Sequence, residues 1–252
     1  MSLSKNHLKL ITSLSQKKYR HKYKLFVVEG MKVVQEFLNS SYELEILFST
    51  ESSFSYLDSF IEVSEQELKK ISSLKTPNKV IALFKIPVQK NTSSSGLIVA
   101  LDAINDPGNL GTIIRLCDWF GIGDLVCSET TVDCYNSKVV QSSMGSHSRV
   151  NITYANLEIV LADSKVCYGA FMDGVSIYQE ELAETGVIVL GNEANGISNL
   201  FIPSFATRVV APSRAITVNS VESFCLIRTA LVRYFIPRNQ SSKYPRLTGI
   251  SI

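Results

Sequence analysis

The chain has 252 residues, 45% apolar and 19% charged, with a formal net charge of +2. That length suits one large domain or two small ones around a sizeable core, and the composition excludes a disordered chain. No 18-residue apolar stretch and no signal-peptide run is present, so neither a membrane span nor secretion is expected.

The charge is unevenly placed. Lys5, Lys9, Lys17, Lys18, Arg20, Lys22 and Lys24 precede the first acid, Glu29. Such a cluster attracts phosphate backbones, and a solvated helix face is the plain alternative. Leu25–Glu29 and Ile46–Ser49 read as strands, and Met31–Asn39 as a helix with Val33, Val34, Phe37 and Leu38 on one face. Glu65–Ser73 reads as a helix capped by Ser64, and Val80–Phe84 as a buried strand. Together these make a small α/β sandwich. The polar stretch Lys90–Gly96 reads as a linker, which divides the chain into residues 1–89, the linker 90–96, and residues 97–252.

Beyond the linker, Leu97–Leu101 is apolar without alternation, as in a buried parallel strand. A helix over Leu110–Phe120, a strand at Leu125–Cys127, a helix over Lys138–Met144 and a strand at Val166–Phe171 follow. Next come strands at Val187–Leu190 and Arg208–Val210, and a long helix over Val218–Phe235 stopped by Pro237. Alternating strands and helices predict a parallel sheet, whose ligands sit beyond the carboxyl ends of the strands. The loops after Leu101, Leu190 and Val210 are therefore the places to look for chemistry. A second basic group, Arg228, Arg233, Arg238, Lys243 and Arg246, lies near the end. Cys117, Cys127, Cys134, Cys167 and Cys225 form no CxxC pair, which fits reduced thiols in the cytoplasm. The three histidines, His7, His21 and His147, do not pair at ligand spacing, so no metal is expected. His147 has two open readings, an RNA contact and a structural role.

In the first loop, Pro107-Gly108 makes a turn, Asn109 falls at the N-cap of the next helix, Gly111 permits close approach of another backbone or a ligand, and Arg115 lies under two turns further along. A guanidinium there can fork onto a phosphate. In the second, a strand enters Gly191, and the loop Gly191-Asn-Glu-Ala-Asn-Gly-Ile197 offers backbone groups and the Glu193 carboxylate. In the third, Ala211-Pro-Ser-Arg-Ala-Ile-Thr-Val-Asn219 precedes the long helix. Singly, each reads as an ordinary turn, cap or surface arginine.

Together, in this order and spacing, they resemble the three signature motifs of the SpoU, or TrmH, family of RNA ribose 2′-O-methyltransferases, over residues 97–236. The upstream domain, with Phe26-Val-Val-Glu-Gly30 after a basic helix, resembles that family's RNA-binding substrate domain. The resemblance implies an α/β fold, with a C-terminal parallel-sheet trefoil-knot methyltransferase domain and a small α/β N-terminal RNA-binding domain. It implies S-adenosylmethionine (AdoMet) as cofactor, held at Leu190, Gly191, Asn192, Ile197, Ala211 and Val218. It puts Arg115, Asn109, Glu193 and Asn219 in the catalytic positions and a basic RNA-binding surface at Lys17, Lys18, Arg20 and Lys22. It also implies an RNA partner, ribosomal or transfer RNA with ribosomal favoured, and a homodimer; Val218–Phe235 then reads either as an interface helix or as plain core packing. The third motif departs from the family's Ser-Leu-Asn, reading Thr217-Val-Asn219, and Glu222 is unusual after it. The competing readings are a catalytically silent RNA-binding protein on the same fold and a nucleotide-binding oxidoreductase. The absence of GxGxxG after Leu101 argues against the latter.

Overall fold

The computed structural model describes residues 3–92, 96–176, 183, 185–192, 194–205 and 207–210. The element order is α1 (Lys5–Ser13), α2 (Lys17–Tyr23), β1 (Leu25–Glu29), α3 (Met31–Leu38), β2 (Leu44–Ser49), β3 (Phe60–Glu62), α4 (Glu65–Ile71), β4 (Val80–Lys85), β5 (Leu97–Leu101), α5 (Pro107–Trp119), β6 (Asp124–Cys127), α6 (Ser137–Ser142), β7 (Asn151–Tyr154), α7 (Leu157–Ala162), β8 (Cys167–Ser176), β9 (Gly186–Leu190) and β10 (Thr207–Val210). The third loop, the helix expected at Val218–Phe235 and any knot built from them lie outside the described residues.

These residues pack as two compact units. The first holds the described residues up to Asn91 together with Asn105–Asp118 and Val132–Thr153. Its four-stranded sheet has the order β1-β4-β2-β3, with β4 antiparallel to both β1 and β2. Side chains alternate across a strand, and β4 deals its own to two cores. Ile81 and Leu83 join Ile11, Leu14, Leu68 and Ile71 from α1 and α4. Val80, Ala82 and Phe84 join Phe26, Val34 and Phe37, together with Val140 of α6. This is why Val80–Phe84 carries no polar alternation: both faces are covered. The start of α4 is fixed by a capping box, in which Ser64 and Glu67 exchange hydrogen bonds, a feature that contributes about 1 kcal/mol. The short β3, parallel to β2, has no counterpart in the sequence reading.

The second unit holds Thr92–Ile104, Trp119–Thr131 and the described residues from Tyr154 onward. In it β10, β8, β9, β5 and β6 are hydrogen-bonded neighbours in that order, and every one of these pairs is parallel. The register sets Leu101 opposite both Cys127 and Leu190. The carboxyl ends of β5, β6 and β9 are thus level, and the loops starting at Asp102, Ser128 and Gly191 leave the sheet side by side. Behind them, Ala100, Val126, Val187 and Val189 pack on Leu157 and Leu161 of α7 and on Phe201.

Two local expectations change. The helix after the first loop begins at Pro107, not Leu110. Proline suits the first helical position because its missing N–H has no helical acceptor there, and Asp106 is the cap: its Oδ1 accepts from the Asn109 N–H at 2.8 Å. Asn109 therefore lies inside the first turn rather than at the N-cap. The helix expected over Lys138–Met144 is Ser137–Ser142, capped by the Asn136 side chain and ended before Met144, which has φ +51°.

Candidate active site

In the first unit, α5 carries Arg115 and Asn109. Arg115 is exposed, on the face opposite the buried Leu110, Ile113, Ile114 and Cys117, and among the described residues it takes no part in an ion pair. Its guanidinium fork is open to an outside phosphate or oxyanion. Asn109 is half-buried. A Cβ on Gly111 would lie 1.9 Å from Ser142 Oγ and 2.9 Å from the Ser143 nitrogen. The close approach expected at this glycine is that of α6.

In the second unit, the loop after β9 closes on itself. Asn192 and Gly196 exchange main-chain hydrogen bonds at 2.9 and 2.8 Å, and Gly196 has φ +69°. A Cβ on Gly191 would fall 2.2 Å from the Gly196 carbonyl carbon and 2.3 Å from the Ile197 nitrogen, so only glycine fits. Leu190 and Ile197 are buried, at 4% and 6% exposed. Asn192 has its side chain engaged at both ends: Nδ2 donates to the Ala103 carbonyl at 2.7 Å, and Oδ1 accepts from Ala194 N and Asn195 N at 2.9 and 3.2 Å. The main-chain groups of Gly191 and Ile197 make no hydrogen bond among the described residues. A narrow loop with free backbone donors and acceptors beside apolar Leu190 and Ile197 is the donor set that a nucleoside ligand requires.

The basic surface near the N-terminus is only partly as expected. Lys17, Lys18 and Lys22 are exposed, with Lys18 and Lys22 lying 4.9 and 5.4 Å from the ring centres of Tyr19 and Tyr23. Arg20, read from the sequence as a phosphate contact, is instead 2% exposed. Its Nε donates to Asp133 Oδ2 at 2.9 Å, and its Nη1 donates to the Leu14 and Ser15 carbonyls. Every direction of the fork is used inside the protein, so Arg20 fastens α2 and is not available to RNA. Glu193, Ala211, Val218 and Asn219 lie outside the described residues. Asp102, Ser128 and the Arg20–Asp133 pair were not singled out in the sequence. Only the sheet register and a long-range ion pair bring them forward.

The profile of the SpoU rRNA Methylase family matches residues 96–221, half of the chain and the whole run from β5 through all three loops. The chain belongs to the SpoU rRNA methylase family. Residues 5–82 match the MRM3-like substrate binding domain, the stretch that holds α1 through the first half of β4. The 23S rRNA (guanosine(2553)-2′-O)-methyltransferase RlmP of Bacillus subtilis is 30% identical over 211 residues, covering 76% of this chain and 85% of that protein. The mitochondrial rRNA methyltransferase 3 of Xenopus laevis is 30% identical over 164 residues, which are 57% of this chain but only 38% of that protein. Among solved structures, a protein described as an RNA methyltransferase of the TrmH family from Porphyromonas gingivalis superposes with a TM-score of 0.83 at 32% identity, covering 92% of this chain and 98% of that one. An AdoMet-bound rRNA methyltransferase from Sinorhizobium meliloti shares the fold, with a TM-score of 0.81 at 24% identity and coverage of 94% and 99%.

Among the described residues no three His, Cys, Asp or Glu side chains come together as metal ligands, and no helix is long and apolar enough to cross a membrane. Away from the three loops, burial shifts two groups. The Cys117 thiol is pushed up to about 12, and the His147 imidazole is held down at about 4. Neither is poised for chemistry near neutral pH. This removes the RNA-contact reading of His147, which is 0% exposed.

Proposed function

We propose that this protein transfers a methyl group from AdoMet to a ribose 2′-hydroxyl of ribosomal RNA. The observation that supports the proposal is the loop Gly191–Ile197, where the main-chain groups of Gly191 and Ile197 make no hydrogen bond among the described residues, next to the buried Leu190 and Ile197 side chains, at the positions that the family resemblance gives to the cofactor. AdoMet supplies an electrophilic sulfonium methyl. The chain's part is to hold the adenosine and amino-acid groups through the main chain of Gly191 and Ile197 beside the Leu190 side chain, with Ala211 and Val218 completing the site. Asn192 shapes that loop.

Arg115 positions the target ribose through its phosphate and stabilises the oxygen as it loses its proton. An arginine is a poor base, since its own pKa exceeds about 12, so charge stabilisation suits it better than proton abstraction. Asn109, Glu193 and Asn219 serve as the remaining polar groups around the hydroxyl. Aligning that hydroxyl with the methyl group supplies much of the rate.

Residues 1–89 grip the RNA, with Lys17, Lys18 and Lys22 on its backbone, and residues 97–252 perform the transfer, joined by the linker 90–96. The working form is a homodimer on a C-terminal knot. Cys117, Cys127, Cys134 and Cys167 are buried and form no disulfide, which suits the cytoplasm.

The test is incubation of the purified full chain with methyl-labelled AdoMet and ribosomal RNA lacking its native methylation, followed by nuclease mapping. A labelled 2′-O-methyl nucleotide is expected. Tight RNA binding with no labelled product would replace the proposal with the catalytically silent RNA-binding reading.

A further inference from the structure

Ala103 has φ +55°, a left-handed conformation that costs a residue with a Cβ and persists only where its surroundings over-determine it. Its surroundings do so from both sides. The Ala103 N–H donates to Ser128 Oγ at 2.9 Å, and its carbonyl accepts from Asn192 Nδ2 at 2.7 Å. The residue before it is tied to the same loop: Asp102 N donates to the Leu190 carbonyl at 2.8 Å, and Asp102 Oδ2 accepts from Ser198 N at 2.7 Å. Three of these four bonds therefore sew the two residues after β5 onto the end of β9 and the segment that follows it. The fourth comes from Ser128, the first residue after β6.

Ser128 is itself held. Its amide donates to the Leu101 carbonyl at 2.9 Å. Its hydroxyl lies 3.0 Å from both Thr130 Oγ1 and Thr131 Oγ1, and Thr131 Oγ1 donates to the Leu101 carbonyl at 3.3 Å. The hydroxyl is thus a fixed acceptor for the Ala103 amide. The Ser128 side chain is polar and spends its oxygen on hydrogen bonds rather than on the apolar core of Leu101, Val126 and Cys127 behind it. It stands at the carboxyl ends of the strands, where ligands of parallel sheets bind, and outside all three family motifs.

We infer that Ser128 is a positioning residue for the cofactor loop, acting through Ala103. The path is short. Ser128 holds the left-handed turn, the turn presents its carbonyl to Asn192, and the other end of the Asn192 side chain fixes Ala194 and Asn195 within Gly191–Ile197. Releasing the Ala103 amide lets residue 103 relax, withdraws the acceptor of Asn192 and loosens the loop before any ligand arrives. A loop that must be ordered on binding holds its ligand more weakly than one already ordered.

The inference rests on the AdoMet reading, and its test separates the two. The full-length wild type, Ser128→Ala and the double variant Ser128→Ala/Ala103→Gly are titrated calorimetrically with S-adenosylhomocysteine, and amide hydrogen exchange is followed at residue 103. Ser128→Ala is expected to weaken binding roughly tenfold and to speed exchange at residue 103, with little change in melting temperature. Glycine adopts positive φ without strain, so the double variant is expected to recover most of the affinity. Wild-type affinity in Ser128→Ala, or a loss that Ala103→Gly does not restore, overturns the inference. If Ser128→Ala does not fold, Ala103→Gly alone decides, since it should bind at least as tightly as wild type, and weaker binding overturns the inference. A wild type that binds neither S-adenosylhomocysteine nor AdoMet overturns the cofactor reading, and the exchange comparison then still decides whether the clamp exists.

Discussion

Arg20 and Asp133 are 113 positions apart in sequence, and their side chains, 3% and 8% exposed, form a buried ion pair. The pair fastens α2 to the turn before α6, and the second oxygen of Asp133 accepts from the Tyr135 amide at 3.1 Å. Removing one partner of such a pair leaves an uncompensated buried charge. Arg20→Ala is expected to cost about 3–5 kcal/mol of unfolding free energy, read by urea denaturation. Arg20→Lys restores little, because an ammonium cannot reach the carboxylate and two carbonyls at once. A paired apolar replacement, Arg20→Met with Asp133→Leu, is expected to be less harmful than either single change. An Arg20→Ala protein of wild-type stability with weakened RNA binding would instead return Arg20 to the RNA surface.

His147 sits among Phe26, Phe37, Tyr42 and Tyr135, with its Nδ1 3.4 Å from the Tyr42 hydroxyl. Its Nε2 has no hydrogen-bond partner among the described residues. Burial holds its pKa at about 4, against 6.5 ordinarily. The folded state therefore binds the proton less readily than the unfolded chain, so the stability is present above pH 6.5 and is lost as pH falls towards 4. Between pH 7.5 and 5 the loss from this group is about 2 kcal/mol. Denaturant melts at the two pH values should show it, and His147→Gln should flatten that part of the profile.

Gly111 and Ser142 show how closely α5 and α6 approach. With a Cβ placed 1.9 Å from Ser142 Oγ and 2.7 Å from its Cβ, Gly111→Ala overpacks the contact and is expected to destabilise by about 1–3 kcal/mol. Ser142→Gly in the same chain should recover part of that and no more, since the Ser143 nitrogen is still 2.9 Å from the added carbon. Differential scanning calorimetry of the wild type and the two variants checks the order.

How much of this was legible beforehand depends on the range of the interaction. Val80–Phe84, Leu97–Leu101 and Val187–Leu190 were readable as strands because strands buried on both faces are continuously apolar. The Ser64 cap was readable because its partner, Glu67, is three residues away. Arg20 was not: its neighbours Lys18 and Lys22 are solvent lysines, and only tertiary structure reveals Asp133. Pro107 misled for a different reason, since a turn proline and a first-turn helix proline share the same φ. The Ala103 clamp is invisible in sequence because alanine gives no hint of positive φ and Ser128 belongs to no motif. Of the candidate site, the sequence motifs singled out Gly191, Ile197 and Arg115. The burial and bonding that separate Asn192, a loop-shaping residue, from the open backbone beside it required coordinates.

Gly191 gives a test of the proposed cofactor site that leaves the rest of the protein in place. Each of the three atoms nearest a Cβ added there belongs to the backbone of Gly196 or Ile197, all within 2.3 Å, so no rotamer change relieves the clash. Gly191→Ala is expected to open the loop and raise the dissociation constant for S-adenosylhomocysteine at least tenfold, about 1.4 kcal/mol. The sheet should survive, because Val187, Ile188 and Val189 remain buried behind it. Calorimetric titration against an unchanged far-ultraviolet circular dichroism spectrum checks both halves.

Arg115 tests the other side of the reaction. It is exposed on α5 and holds no acid among the described residues, so its removal leaves no orphaned partner and little loss of stability is expected. If its task is to clamp the ribose phosphate and stabilise the developing oxyanion, Arg115→Ala should bind AdoMet as the wild type does and transfer methyl at least a hundredfold more slowly, the scale typical of losing one oxyanion donor. Arg115→Lys keeps the charge but not the fork and should recover only part of the rate. Single-turnover transfer to unmethylated ribosomal RNA, with cofactor saturating, isolates this step from binding. A variant that transfers at the wild-type rate would assign proton handling and phosphate contact to other groups, while loss of AdoMet affinity instead of rate would place Arg115 on the cofactor side.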